Sequence, residues 1–93
     1  MISNTVNEIN RVCNEIKDML IEKNLSYGDS ALNPVRIFSR TNDVEQLLVR
    51  IDDKLSRVAR GKAYPGDNDI LDLIGYLILL KIAKEKQQEA KQK

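Results

Sequence analysis

The chain has 93 residues, 31% charged, 42% apolar and 4% aromatic, with 15 Lys and Arg against 14 Asp and Glu, so its formal charge of +1 supplies no bulk polycation for duplex nucleic acid. Histidine is absent and Cys13 is the single cysteine, which excludes His-dependent nucleophiles, His-ligated zinc, an intrachain disulfide and a cysteine zinc site. One small soluble domain over 1–93 is expected, in a cytoplasmic setting with no membrane span, and its modest core points to a partner chain for further burial.

Ile2, Val6, Ile9, Cys13, Ile16 and Leu20 recur at 4-3-4-3-4 and predict a helix over about 3–24. A polar loop, 25–34, follows, in which Ser26, Tyr27-Gly28-Asp29-Ser30 and Asn33-Pro34 supply turn chemistry. A structureless stretch of about ten residues in a compact domain suits a binding loop better than an idle connection. Pro34 opens a short helical turn over 34–40 carrying Val35, Ile37 and Phe38. Thr41 or Asn42 then caps a helix over about 42–60, whose stripe Val44, Leu48, Ile51, Leu55 and Val58 ends at Gly61, a C′ glycine. Asp67 or Asn68 caps a third helix over about 67–88, apolar on almost every face between Ile70 and Ala83. Two short neighbours cannot cover such a helix. The expected fold is therefore all-α, three main helices plus a short helical turn, in a bundle completed by homo-oligomerisation. From Lys84 the Lys/Glu/Gln-rich tail reads as a fraying, solvated end.

Several polar groups stand out on this frame. Arg50, Lys54 and Arg57 line one flank of the second apolar seam, Glu45 and Asp52 the other, and Asp53 lies within i,i+4 reach of Arg57. The basic flank suits phosphate, and Asp52 or Asp53 suits a metal or a sugar hydroxyl; an ordinary charged surface is the plainer alternative. Asp69 and Asp72 stand three apart on one face and can share a Mg²⁺. Alternatively Asp69 answers the helix dipole, while Asp72, among Leu71, Leu73, Ile74 and Tyr76, takes a partner from Arg50, Lys54, Arg57 or a tyrosine hydroxyl. Gly75 costs about 1 kcal/mol relative to Ala in a helix, which a close helix crossing or a ligand against the backbone would explain. Around the loop, Lys23, Asn24, Tyr27, Asp29, Ser30, Asn33, Arg36 and Arg40 exceed what a bare turn needs. Tyr27 can stack on a base and Arg36 or Arg40 can meet phosphate; otherwise Tyr27 packs on the helices, Gly28 supplies a positive φ, and Asp29 with Ser30 caps a turn. There is no Walker loop, dinucleotide fingerprint or helix-turn-helix signature.

Three segments, KNLSYGDSALNPVRIFSR, VRIDDKLSRVARG and NDILDLIGYLILLKIA, together resemble the phage and bacterial family called nucleotide modification associated domain 1, over residues 22–83. The resemblance rests on Lys23, Asn24, Tyr27, Gly28, Asp29 and Ser30, then Arg50, Asp53, Lys54 and Arg57, then Asp72, Leu73 and Tyr76. That family is in turn distantly similar to the all-α MazG-like nucleoside triphosphate pyrophosphatases, which hold Mg²⁺ on two acidic pairs. Asp69 and Asp72 echo the second pair, whereas Glu45, Asp52 and Asp53 do not reproduce the spacing of the first.

The resemblance implies a small nucleotide-binding protein that sequesters a nucleotide-derived host immune signal without hydrolysis, in the cytoplasm of an infected cell if phage-encoded, and needs no cofactor. Phosphate would meet Arg50, Lys54, Arg57 and Arg36 or Arg40. The base would stack on Tyr27 or Tyr76, and Asp29, Asp53 or Asp72 would take ribose hydroxyls or base nitrogens. The enzyme alternative is a Mg²⁺-dependent pyrophosphohydrolase with Asp69, Asp72, Asp53 and Glu45 as candidate ligands. A structural or adaptor bundle, whose stripes bind partner helices, is the third reading.

Overall fold

A computed structural model describes residues 4–33, 42–61 and 68–92 of the chain. They form three helices, α1 (Asn4–Ser26), α2 (Asp43–Arg60) and α3 (Asp69–Gln92), so the fold is all-α as the periodicity predicts. The short turn expected over 34–40, with Arg36 and Arg40, lies outside the described residues. Among the described residues no helix is long and apolar enough to cross a membrane.

Each boundary of α2 has a local cause. The Asn42 side chain accepts from the Glu45 N–H at 2.8 Å, and Asp43 and Glu45 place negative charge in the first turn. At the other end Gly61 takes the left-handed conformation, φ 68°, and its N–H closes onto the Arg57 and Val58 carbonyls. Asn68 caps α3 in the same way, accepting from the Leu71 N–H at 3.0 Å.

α2 and α3 pack along their length around Val44, Leu47 and Ala83, with Leu48, Tyr76, Leu79 and Leu80 against them. Ala31 and Leu32, beyond the end of α1, cover the same cluster. The seam of α2 differs from the expected stripe. Buried positions are Val44, Leu47, Ile51 and Lys54, whereas Leu55 and Val58 remain 49% and 39% exposed. The helix is turned so that Lys54 faces inward, where two carboxylates of α3 receive its ammonium.

Among the described helices α1 is held more sparsely, against α3 and not α2. Ile16 is buried, and the crossing is close: a Cβ on Gly75 would stand 3.3 Å from the Leu20 Cδ1. Towards its start the stripe stands in the open, Val6 45% and Ile9 56% exposed.

α3 runs on to Gln92, past the expected end near 88, as Ala, Glu, Lys and Gln propensities favour, and the side chains from Lys84 to Ala90 are almost all exposed, as a solvated tail would have them. One further expectation is corrected. The loop is not structureless between Tyr27 and Asn33. The Tyr27 N–H donates to the Lys23 carbonyl, Asp29 to Asn24 and Asn33 to Asp29, so the chain leaves α1 through consecutive turns. Gly28 and Asp29 both adopt φ 62°, a region glycine occupies freely and aspartate tolerates.

Candidate functional site

The turns after α1 bring the loop residues over the α1–α3 crossing, and an open cavity of about 240 Å³ lies there. Its polar lining is Lys23 and Asn24 from the end of α1, Tyr27 and Ser30 from the turns, Arg50 from α2, and Asp72 and Tyr76 from α3. Met19, Leu20, Ala31, Gly75 and Leu79 supply the apolar remainder. Residues as far apart in sequence as Lys23 and Tyr76 thus meet on one concavity, and of the two explanations for Gly75 the geometry shows the close crossing, with the residue also in the cavity wall.

Asp72 is the pivot of this wall. Its Oδ1 accepts from the Lys23 Nζ at 3.1 Å and its Oδ2 from the Lys54 Nζ at 3.0 Å, tying α1 and α2 to α3 through one carboxylate. Burial raises the cost of its charge, but the hydrogen bonds from Lys54 and then Lys23 outweigh it and hold the carboxyl below its ordinary range. Lys54 also donates to the Asp69 Oδ1 at 3.3 Å. Burial works against its ammonium too, yet the hydrogen bonds to Asp72 and Asp69 dominate and raise it above an ordinary lysine. Arg57 completes the cluster, 3.9 Å from Asp69 and 3.5 Å from Asp53. Among the described residues no buried side-chain polar atom lacks a partner.

This arrangement distributes the expected site residues unevenly. Lys23, Asn24, Tyr27, Ser30, Arg50, Asp72 and Tyr76 share the cavity. Lys54, 9% exposed, is engaged by Asp69 and Asp72 instead of lining it. Asp53 and Arg57 pair with each other on α2. Asp29 borders a neighbouring apolar groove and takes a hydrogen bond from the Asn33 amide. The Lys23–Asp72 pair, 49 positions apart, was not legible from local spacing; only the α1–α3 crossing at Gly75 could have pointed to it.

The Mg²⁺ that the MazG-like resemblance implies does not suit Asp69 and Asp72 as they stand. An ammonium already bonds one oxygen of each carboxylate, and among the described residues no three His, Cys, Asp or Glu side chains gather to hold a metal ion. No protein-family model, curated protein or solved structure matches the chain.

Proposed function

We propose that this protein binds a nucleotide or nucleotide-derived signal and retains it without turnover. The observation that carries the reading is the composition of the cavity: two phenol rings, Tyr27 and Tyr76, two cations, Lys23 and Arg50, one charged acceptor, Asp72, and one amide, Asn24, on a concave surface. Rings stack on a base, cations meet phosphate, and the carboxylate and amide accept from hydroxyl or N–H edges of a sugar or base. Tyr27 is 69% exposed and so is free to close over a planar ligand. At about 240 Å³ the cavity falls below the ~300–1,000 Å³ usual for small-molecule sites, so base or sugar would fill it and phosphate would lie at its mouth beside Lys23 and Arg50. Retention rather than hydrolysis is favoured because Lys54 neutralises the acidic pair that would otherwise be open to a metal. The family resemblance adds the setting, in which holding a host messenger out of solution would itself be the activity.

The test is mass spectrometry of small molecules released when purified protein is denatured, beside incubation of a nucleotide panel with protein and Mg²⁺. An unaltered nucleotide that co-purifies or binds stoichiometrically is the expected result. Release of pyrophosphate would replace this reading with the pyrophosphohydrolase, and no binding across the panel would leave the adaptor bundle.

A further inference from the structure

Asp72 has accepting capacity to spare. A carboxylate offers about four lone-pair sites, and among the described residues its oxygens take one hydrogen bond each, Oδ1 from Lys23 at 3.1 Å and Oδ2 from Lys54 at 3.0 Å. The remaining sites belong to a side chain that is 19% exposed and lines the cavity, so a ligand that fills the cavity must supply donors to them. Lys23 has capacity of its own, because an ammonium carries three N–H donors and one of these reaches Oδ1. Lys54 does not line the cavity and is committed to both Asp69 and Asp72, whereas Lys23 is half exposed and does line it. The order presented to a ligand is therefore donor, acceptor, acceptor: Lys23 Nζ, Asp72 Oδ1, Asp72 Oδ2. We infer that this pair reads a guanine base, whose O6 accepts from Lys23 while its N1–H and 2-amino group donate to the two oxygens of Asp72. The inference rests on the nucleotide-binding reading and adds to it the identity of the base.

The other bases do not match this order in either direction. The middle group of the Watson–Crick edge is a bare ring nitrogen in adenine and in cytosine, an acceptor set against a carboxylate oxygen. Uracil has an N–H there, but its two flanking carbonyls leave one oxygen facing the other carboxylate oxygen. Hypoxanthine keeps the carbonyl and the N–H and lacks the amino group. An acceptor pressed on Asp72 strips its solvent and returns no bond, which costs more than a missing contact. Two parallel N–H groups on one carboxylate, by contrast, repeat the bidentate geometry of a guanidinium on a carboxylate, with both bonds strengthened by charge. Asp72 is ionised for this role near neutral pH, since its two lysines hold its carboxyl below the ordinary range. Tyr27 and Tyr76, in the same lining, offer rings to the faces of the base. Arg50, exposed and one turn before Lys54 on α2, stands about 6 Å from it along the helix axis and is left for phosphate.

Calorimetric titration of the full chain with GMP, IMP, AMP, CMP and UMP, and with the corresponding triphosphates, compares these edges on a common phosphate. The guanine nucleotide should bind tightest. The hypoxanthine nucleotide should bind about 10–150-fold more weakly, the value of one hydrogen bond to a charged acceptor, and the adenine nucleotide more weakly again. Asp72→Asn puts an amide nitrogen where one oxygen was and should bring the guanine nucleotide to the level of hypoxanthine or below, with helical circular dichroism intact. A series in which the base makes no difference, or one led by another base, overturns the inference and leaves nucleotide binding standing, with Asp72 then available to a ribose. No binding by any of these nucleotides overturns both. A folded Asp72→Asn protein that keeps the full guanine preference also overturns the inference; if that variant loses its helicity, the wild-type series decides.

Discussion

Replacing Lys54 with methionine keeps the length of the buried side chain and deletes its charge. Asp69, 7% exposed, then loses the ammonium at 3.3 Å, and Asp72 loses one at 3.0 Å. Removing one partner of a buried ion pair costs about 3–5 kcal/mol, because the other charge stays behind without compensation. Two cations soften the loss here, Arg57 at 3.9 Å from Asp69 and Lys23 at 3.1 Å from Asp72, so the low end, about 3 kcal/mol, is expected. A chain of this length has roughly 5–14 kcal/mol in total, so the change is large. Urea unfolding followed by circular dichroism should show the midpoint falling by about 1–3 M at unchanged slope. Adding Asp69→Asn and Asp72→Asn removes the stranded charges and should restore at least half of the loss. A cost below about 1 kcal/mol for the single variant, or a triple variant no better than the single, would refute the view that Lys54 is held inside by these two carboxylates.

The same cluster sets a pH dependence. Asp72 sits below its ordinary value, so its contribution is complete above about pH 3.9 and is lost as pH falls through the lower folded value. Lys54 sits above its ordinary value, so its contribution is complete below about pH 10.4 and is lost only as pH rises past that. Acid titration of stability should therefore flatten in Asp72→Asn, and an unchanged acid limb would contradict the pairing. Tyr27→Ala removes an exposed ring, so stability should move by less than about 0.5 kcal/mol, while nucleotide affinity by calorimetry falls about 5–150-fold if the ring stacks on a base at ~1–3 kcal/mol. Gly75→Ala gains about 1 kcal/mol of helix propensity and sets a methyl 3.3 Å from the mobile end of Leu20. Thermal stability should change little, and ligand affinity should fall because the methyl enters the cavity wall.

The helices and their caps were legible because hydrophobic period, Asn at the N-caps and Gly61 at the C-cap act within a few residues of one another. The seam of α2 was not. Leu55 completes a better stripe than Lys54 on hydrophobicity, and only the arrival of Asp69 and Asp72 from α3 makes an inward lysine favourable. Asp72's need for a basic partner could be read from its apolar neighbours, and Lys54 was among the candidates; Lys23 was not, because the turns at Gly28 and Asp29 decide where α1 ends against α3. The cavity was foreshadowed as residue types gathered near one loop, yet its apolar floor of Met19, Leu20, Ala31 and Leu79 carried no sequence signal distinct from core.

The unequal attachment of the three helices has a kinetic meaning. α2 and α3 share a continuous core, whereas α1 is secured by the Gly75 crossing, the turns after Ser26 and the Lys23–Asp72 bond. Backbone amides of α1 will therefore exchange with solvent through local opening well before those of α2 and α3, which open only with the whole domain. A molecule that binds only while α1 is docked slows that opening by a factor of one plus its concentration over its dissociation constant, and so writes its affinity into the exchange rates of a helix whose start it never touches.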